Sequence, residues 1–216
     1  MTSASRTFGP TPLGALRRFA KRGPRAHPPS VCEICATPIR EPHPHVVNLE
    51  DKRVLCVCAA CHMLFSDDGR GRYRAVPDRR LYANASRARW GALGVPVSMA
   101  FVFHESKADR LVAFYPSPAG AVESVAGLEW RELLDLCPAF REMRSDVEAL
   151  LVRETEGRGV DCFLVPVVVC YELVAKIRQT WRGFDGGEAA RTELDAFFAD
   201  LLEKSSLAFA PDEVAK

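Results

Sequence analysis

Two cysteine pairs, Cys32-Glu33-Ile34-Cys35 and Cys58-Ala59-Ala60-Cys61, stand 22 residues apart in this chain of 216. Each pair brings two thiolates within reach of one ion, and the segment between them is long enough to fold back and close a tetrahedral shell. Soft thiolate donors in that number suit zinc, which is expected here, with iron in a four-cysteine site as the second choice. A closed shell of four thiolates leaves no coordination position for water or substrate, so the expected role is structural and non-enzymatic.

Further donors lie close by. Cys56 precedes the second pair in Cys56-Val57-Cys58. One ion needs only four donors, so Cys56 reads as a spare thiol whose replacement leaves metal content unchanged, with an additional or alternative ligand as the other reading. His45 and His62 are candidates for additional ligands, and His43 together with His45 can stand in for a cysteine. The stretch Cys58-Ala59-Ala60-Cys61-His62 also matches the covalent haem c attachment pattern. Haem attachment is disfavoured because no export signal is expected and because it leaves the first cysteine pair unexplained. Cys137, Cys162 and Cys170 sit in apolar surroundings and read as small core residues.

The elements around the site follow from patterning. Val46-Val47-Asn48-Leu49 and Val54-Leu55-Cys56-Val57 flank the polar Glu50-Asp51-Lys52-Arg53, which predicts strand, turn, strand, with a short helical turn over 61–65. Residues 95–103 and 110–115 form apolar runs around Ser106-Lys107-Ala108-Asp109 and predict a core hairpin; 147–154 and 160–166 predict a second, with a helix as the alternative for its first arm. Tyr115-Pro116-Ser117-Pro118-Ala119-Gly120 is expected to be a sharp loop that ends the strand. Helices are expected over 128–137, where Pro138 stops the run, over 167–181 and over 188–204. The last carries Leu194, Phe197, Phe198, Leu201 and Leu202 on one face. The fold class is α+β: a small N-terminal zinc-ribbon or treble-clef-like module, then an antiparallel-sheet domain covered by C-terminal helices. The expected organisation is a basic, partly disordered arm over 1–29 with a short helix at 13–22, a metal module over 30–68, a basic connector over 69–92, an α+β domain over 93–206 and a tail over 207–216.

Composition limits the function classes. No stretch approaches the roughly 18–20 apolar residues of a membrane helix, and the N-terminus lacks the apolar core of a signal peptide, so a cytoplasmic location and no membrane partner are expected. The net charge of +1 conceals 16 basic against 7 acidic residues over 1–91, and 13 against 21 over 92–216. Either the basic half faces an acidic protein or a nucleic acid, or the two halves neutralise each other on folding. Arg70, Arg72, Arg74, Arg79, Arg80, Arg87 and Arg89 alternate in the connector with Tyr73, Tyr82 and Trp90, an arrangement that suits stacking and phosphate contact on nucleic acid. The plainer expectation is that these aromatics anchor an extended linker to the domain. No phosphate-cradling glycine loop and no nucleophile elbow is present. His104, the sole histidine of the acidic half, reads as structural.

Two resemblances add to this reading. Cys32, Cys35, His45, Cys58, Cys61 and His62 resemble the framework of zinc-knuckle HNH endonucleases. However, only nine residues separate His45 from Leu55, and Phe65 stands where a closing histidine or asparagine is wanted. A nucleic-acid-binding or degenerate HNH-like zinc protein is therefore the alternative function. The order of Leu16-Arg17-Arg18-Phe19, Cys32-Glu33-Ile34-Cys35, Leu55-Cys56-Val57-Cys58-Ala59-Ala60-Cys61, Tyr73-Arg74-Ala75-Val76-Pro77, Ala113-Phe114-Tyr115-Pro116-Ser117-Pro118-Ala119-Gly120, Asp146-Val147-Glu148-Ala149-Leu150-Leu151-Val152, Cys170-Tyr171-Glu172-Leu173-Val174 and Trp181-Arg182-Gly183 is similar to an actinobacterial family of unknown activity. The genes of that family sit in clusters for high-affinity NiFe-hydrogenases. Val167-Val168-Val169 departs from it where an acidic residue is expected. The resemblance implies a hydrogenase accessory or maturation factor whose partner is a hydrogenase subunit or another maturation protein.

Overall fold

A computed structural model describes residues 31–66, 71–85, 93, 98–117, 120–124, 126–135, 138–155, 159–181 and 187–208. The arm with its expected helix at 13–22 lies outside the described residues, as do Arg70, Arg87, Arg89, Trp90, Cys137, most of the 181–187 loop and the end of the tail. The described residues belong to one compact unit.

Two sheets carry the fold. The first is a three-stranded sheet made by β1 (His45–Asn48), β2 (Arg53–Cys56) and β3 (Tyr73–Ala75) in the order β2-β1-β3, all antiparallel. Its strands are short because a turn or a cysteine knuckle bounds each one, and α1 (Ala59–Leu64) follows β2 directly. Val46, Leu55 and Val57 pack with Cys32 and Cys61 in a small core of their own. The opposite face of β1 presents Val47, which packs with Val76, Val147 and Val167 and joins this sheet to the rest of the chain. Successive strand residues face opposite sides, so neighbouring valines serve two different cores.

The second sheet has seven strands: β4 (Leu81–Ala85), β5 (Met99–Glu105), β6 (Arg110–Ser117), β7 (Gly120–Ser124), β8 (Glu148–Thr155), β9 (Gly159–Pro166) and β10 (Ser206–Leu207). Their order is β10-β4-β9-β8-β5-β6-β7, and every pairing is antiparallel except that of β10 with β4. Ala100, Val102, Leu150, Val152, Cys162 and Leu164 face one side with Trp130 and Leu133 of α2 (Leu128–Asp135) and Phe140 of α3 (Pro138–Arg141). Met99, Phe101, Ala149, Leu151, Phe163 and Val165 face the other. That side is closed by Cys170, Leu173 and Ile177 of α4 (Val167–Thr180) and by Leu194, Phe197, Phe198 and Leu201 of α5 (Gly187–Glu203). Helices on both faces explain why β5, β8 and β9 read as continuous apolar runs rather than alternating ones. Each large side chain buried this way contributes about 1.5–3 kcal/mol of apolar burial.

The α+β architecture, both expected hairpins and the two C-terminal helices match the sequence expectation. Three segments differ. Residues 73–75 and 81–85, expected to run as a connector, are strands in the two sheets; Leu81, Ala83 and Ala85 alternate with Tyr82 and Asn84, a weak period-two signal in an arginine-rich context. Pro116 and Ser117 do not end β6, which continues into a hairpin with β7 (Pro116↔Ala121, Ser117↔Gly120). Pairing of β6 with β5 has already stopped at Phe114, so the missing proline N–H forfeits no bond to β5. Pro138 opens α3 instead of merely closing α2, because its fixed φ suits a first helical turn.

Candidate metal centre

Cys32 and Cys35 lie on a tight turn that Cys32 itself closes, its N–H donating to the Thr37 carbonyl at 2.8 Å and its carbonyl accepting from Ala36 N at 2.8 Å. Ala36 takes a positive φ of 60° to complete that turn. Cys58 caps α1, with its sulfur accepting from Cys61 N at 3.5 Å. One knuckle is therefore a turn and the other a helix start, and the hairpin β1–β2 carries the second back onto the first.

All four sulfurs lie within 4.8 Å of one another, with Cys32 and Cys61 buried and Cys35 exposed. Cys35 Sγ and Cys58 Sγ are 3.7 Å apart. Sulfurs placed tetrahedrally at about 2.3 Å from a zinc ion are about 3.8 Å apart, so the group has the dimensions of a metal shell. It is too open for a disulfide, whose sulfurs are about 2.05 Å apart. The four thiols cannot all ionise together without a cation among them. The Thr37 hydroxyl and backbone, with help from Cys32 and Cys61, bring Cys35 down to about 6, whereas burial and the neighbouring thiols push Cys61 up to about 12. Burial raises the Cys32 thiol, but the amides of Cys35, Cys58 and Ile34 outweigh it and the net shift is downward. One ready thiolate beside one reluctant thiol is the electrostatics expected of a site completed by a positive ion.

Cys56 is not part of this group. It falls with His43 and His45, and the donor atoms of those three lie within 4.8 Å of one another. Glu33, inside the first knuckle, ties Cys56 down twice: Glu33 N donates to the Cys56 carbonyl at 2.9 Å, and Cys56 N donates to Glu33 Oε2 at 2.7 Å. His62 falls in neither group; its Nε2 donates to the Val76 carbonyl at 2.9 Å. Phe65 packs against the Tyr73 ring, with centroids 5.2 Å apart. Cys162 and Cys170 are buried core residues, and burial drives the Cys170 thiol far up. His104 bridges Ser145 Oγ and Asp109 Oδ1.

The connector arginines that the structure describes all face carboxylates of this chain. Arg72 pairs with Glu50, Arg74 with Asp146, Arg79 with Glu148 and Arg80 with Asp78. Arg74–Asp146, Arg79–Glu148 and Lys52–Glu105 join the basic half to the acidic half, so the two partly neutralise each other. A cavity of about 890 Å³, not foreseen from the sequence, is bounded by β1–β3, by β5–β7 and by α4. Phe101, Phe103 and Phe114 line it as stacked rings, and the charges of Lys52, Glu105, Arg110 and Glu123 around it are paired with one another. Its lining mixes residues distant in sequence, which is why no local motif marks it.

Fold and site together define an α+β protein in which a four-cysteine cluster precedes a mostly antiparallel sheet covered by C-terminal helices. The chain belongs to the family of unknown function DUF5947, whose model matches residues 31–205. Comparison with curated proteins and with solved structures finds no match. Among the described residues no helix is long and apolar enough to cross a membrane.

Proposed function

We propose that this protein is a non-enzymatic zinc-binding accessory or assembly factor. Cys32, Cys35, Cys58 and Cys61 hold one structural Zn²⁺, and the observation that carries this reading is the closed group of four sulfurs at tetrahedral spacing. A four-thiolate shell supplies folding energy to the module around it and offers no open position for catalysis. The ion holds the first knuckle against the hairpin end and so shapes a surface for a protein partner. The similarity to hydrogenase-cluster proteins supports NiFe-hydrogenase maturation as the setting, with a hydrogenase subunit or another maturation factor as the partner and the cytoplasm as the location.

Elemental analysis of protein purified without added metal tests the site: at least one zinc per chain is expected, and stoichiometric iron in place of zinc would overturn the choice of metal. The partner is tested by co-expression with the hydrogenase subunits followed by size-exclusion chromatography, where co-elution is expected and separate elution counts against the assignment. Retention on DNA or RNA that collapses steeply with salt favours the nucleic-acid alternative instead. That reading is weakened by the engagement of Arg72, Arg74, Arg79 and Arg80 in ion pairs within the chain.

A further inference from the structure

Three soft or borderline donors beside the four-thiol group are not needed by it. His43 stands two residues before His45, the first residue of β1, and the two rings approach each other. Cys56 is the last residue of β2 and the direct antiparallel partner of His45, so the third donor faces them across the strands. The two rings lie 4.9 Å apart between centroids, tilted by 41°. All three donor atoms lie within 4.8 Å of one another.

His43 supplies an independent observation. Its side chain is only 7 % exposed, and both ring nitrogens are buried without a hydrogen-bond partner. An orphaned buried polar group costs about 1–3 kcal/mol, and here one ring carries two of them. Glu41 Oε2 lies 3.3 Å from Nδ1, where a carboxylate orients the imidazole of a metal-ligating histidine. A cation at the centre of the group would give one of these two nitrogens a partner.

We propose that His43, His45 and Cys56 form a second metal site, separate from the four-cysteine centre, that takes a divalent late first-row ion. Two imidazoles and one thiolate suit zinc, cobalt, nickel or copper and do not suit magnesium or calcium. Three protein donors leave one position of a tetrahedron for water or an external ligand, which the four-cysteine shell does not. The two sites share one hairpin end, since Glu33 of the first knuckle is bonded twice to Cys56. This assignment does not depend on which ion fills the four-cysteine shell.

The test is a titration of the full-length, reduced, metal-free chain with Co²⁺, whose thiolate charge-transfer bands report the number of bound sulfurs. Two equivalents that survive gel filtration are expected: one with a four-thiolate spectrum, and a second whose charge-transfer intensity is about a quarter as large, in keeping with one thiolate donor. Cys56→Ser, and separately His43→Asn, should each remove the second equivalent while the four-thiolate spectrum of the first stays intact and certifies the fold. Saturation of the wild-type chain at one equivalent overturns the proposal, as does a Cys56→Ser chain that still binds two. Were a variant to lose the first spectrum too, the wild-type chain decides alone through X-ray absorption of its second equivalent. A shell of mixed imidazole and sulfur supports the site, and one without imidazole sinks it. Loss of the first equivalent alone would count against the four-cysteine reading and leave this one standing.

Discussion

The guanidinium of Arg79 grips the fully buried carboxylate of Glu148 with two nearly parallel hydrogen bonds, Nε to Oε1 at 2.6 Å and Nη2 to Oε2 at 2.9 Å. Arg144 N donates a third bond to the same carboxylate at 2.8 Å. The pair fastens the segment before β4 to the start of β8, and the carboxylate holds the Arg79 guanidinium firmly protonated. Removing the cation strands a buried charge, so Arg79→Ala is expected to lower unfolding free energy by about 3–5 kcal/mol in chemical denaturation. Arg79→Lys should recover only part of this, because an ammonium cannot reproduce the two-pronged fork. A loss below about 1 kcal/mol for Arg79→Ala would show that the pair contributes little.

Cys35→Ser and Cys58→Ser each remove one of four thiolates. Both are expected to release the metal and to melt residues 31–66 while the seven-stranded sheet keeps its protected amides, because structural zinc supplies folding energy to the module around it. Metal content and residue-resolved hydrogen exchange check the two halves of the statement. Stoichiometric metal retained in both variants refutes the ligand set.

Glu105 gives a pH dependence with a definite sign. Its buried carboxylate accepts from Lys52 in the β1–β2 turn and from Arg110 on β6, and Lys52 is the main cause that holds it below its ordinary 4.5. A carboxyl that ionises more readily when folded stabilises the fold above its unfolded value, and that contribution is lost as pH falls through the lower, folded value. Glu105→Gln should therefore be less stable than the native chain at pH 7 by about 1–2 kcal/mol, since water screens two partners that are more than half exposed. The difference should begin to narrow as pH falls below 4.5 and close only below the lower, folded value, where the native carboxyl is also neutral. A gap that persists unchanged at low pH would show that packing rather than charge is responsible.

Gly120 opens β7 with φ of +130°, a conformation that L side chains rarely adopt. A Cβ built there meets nothing within 4 Å, so the cost of Gly120→Ala is backbone strain without a clash. A loss of about 1–3 kcal/mol in denaturation is expected, and an unchanged midpoint would mean that the hairpin relaxes around the new residue.

Much of this protein is decided locally. Cys-x-x-Cys spacing is a property of a few consecutive residues, so the four-cysteine group could be read before any fold was known. The β5–β6 and β8–β9 hairpins and the helices α4 and α5 announce themselves through unbroken apolar runs and through 3.6-residue periodicity. The short strands β3, β4, β7 and β10 were not legible, because two to five residues carry too little pattern to outweigh the turn-forming and polar residues around them.

Tertiary structure decided which charges and donors meet. The arginines at 72–80 look like a nucleic-acid patch in a linear string, yet the fold sets them against Glu50, Asp146, Glu148 and Asp78; Asp146 and Glu148 are desolvated carboxylates of the acidic half that need cations, and the strands bring Arg74 and Arg79 within reach of them. Cys56 reads as a spare fifth thiol two positions from a ligand. Only the register of β1 on β2, which pairs it with His45, turns it from the four-cysteine shell toward the histidines. Spacing along the chain selects the donors that can share one ion; strand pairing, through hydrogen bonds between residues far apart in sequence, determines which of them do.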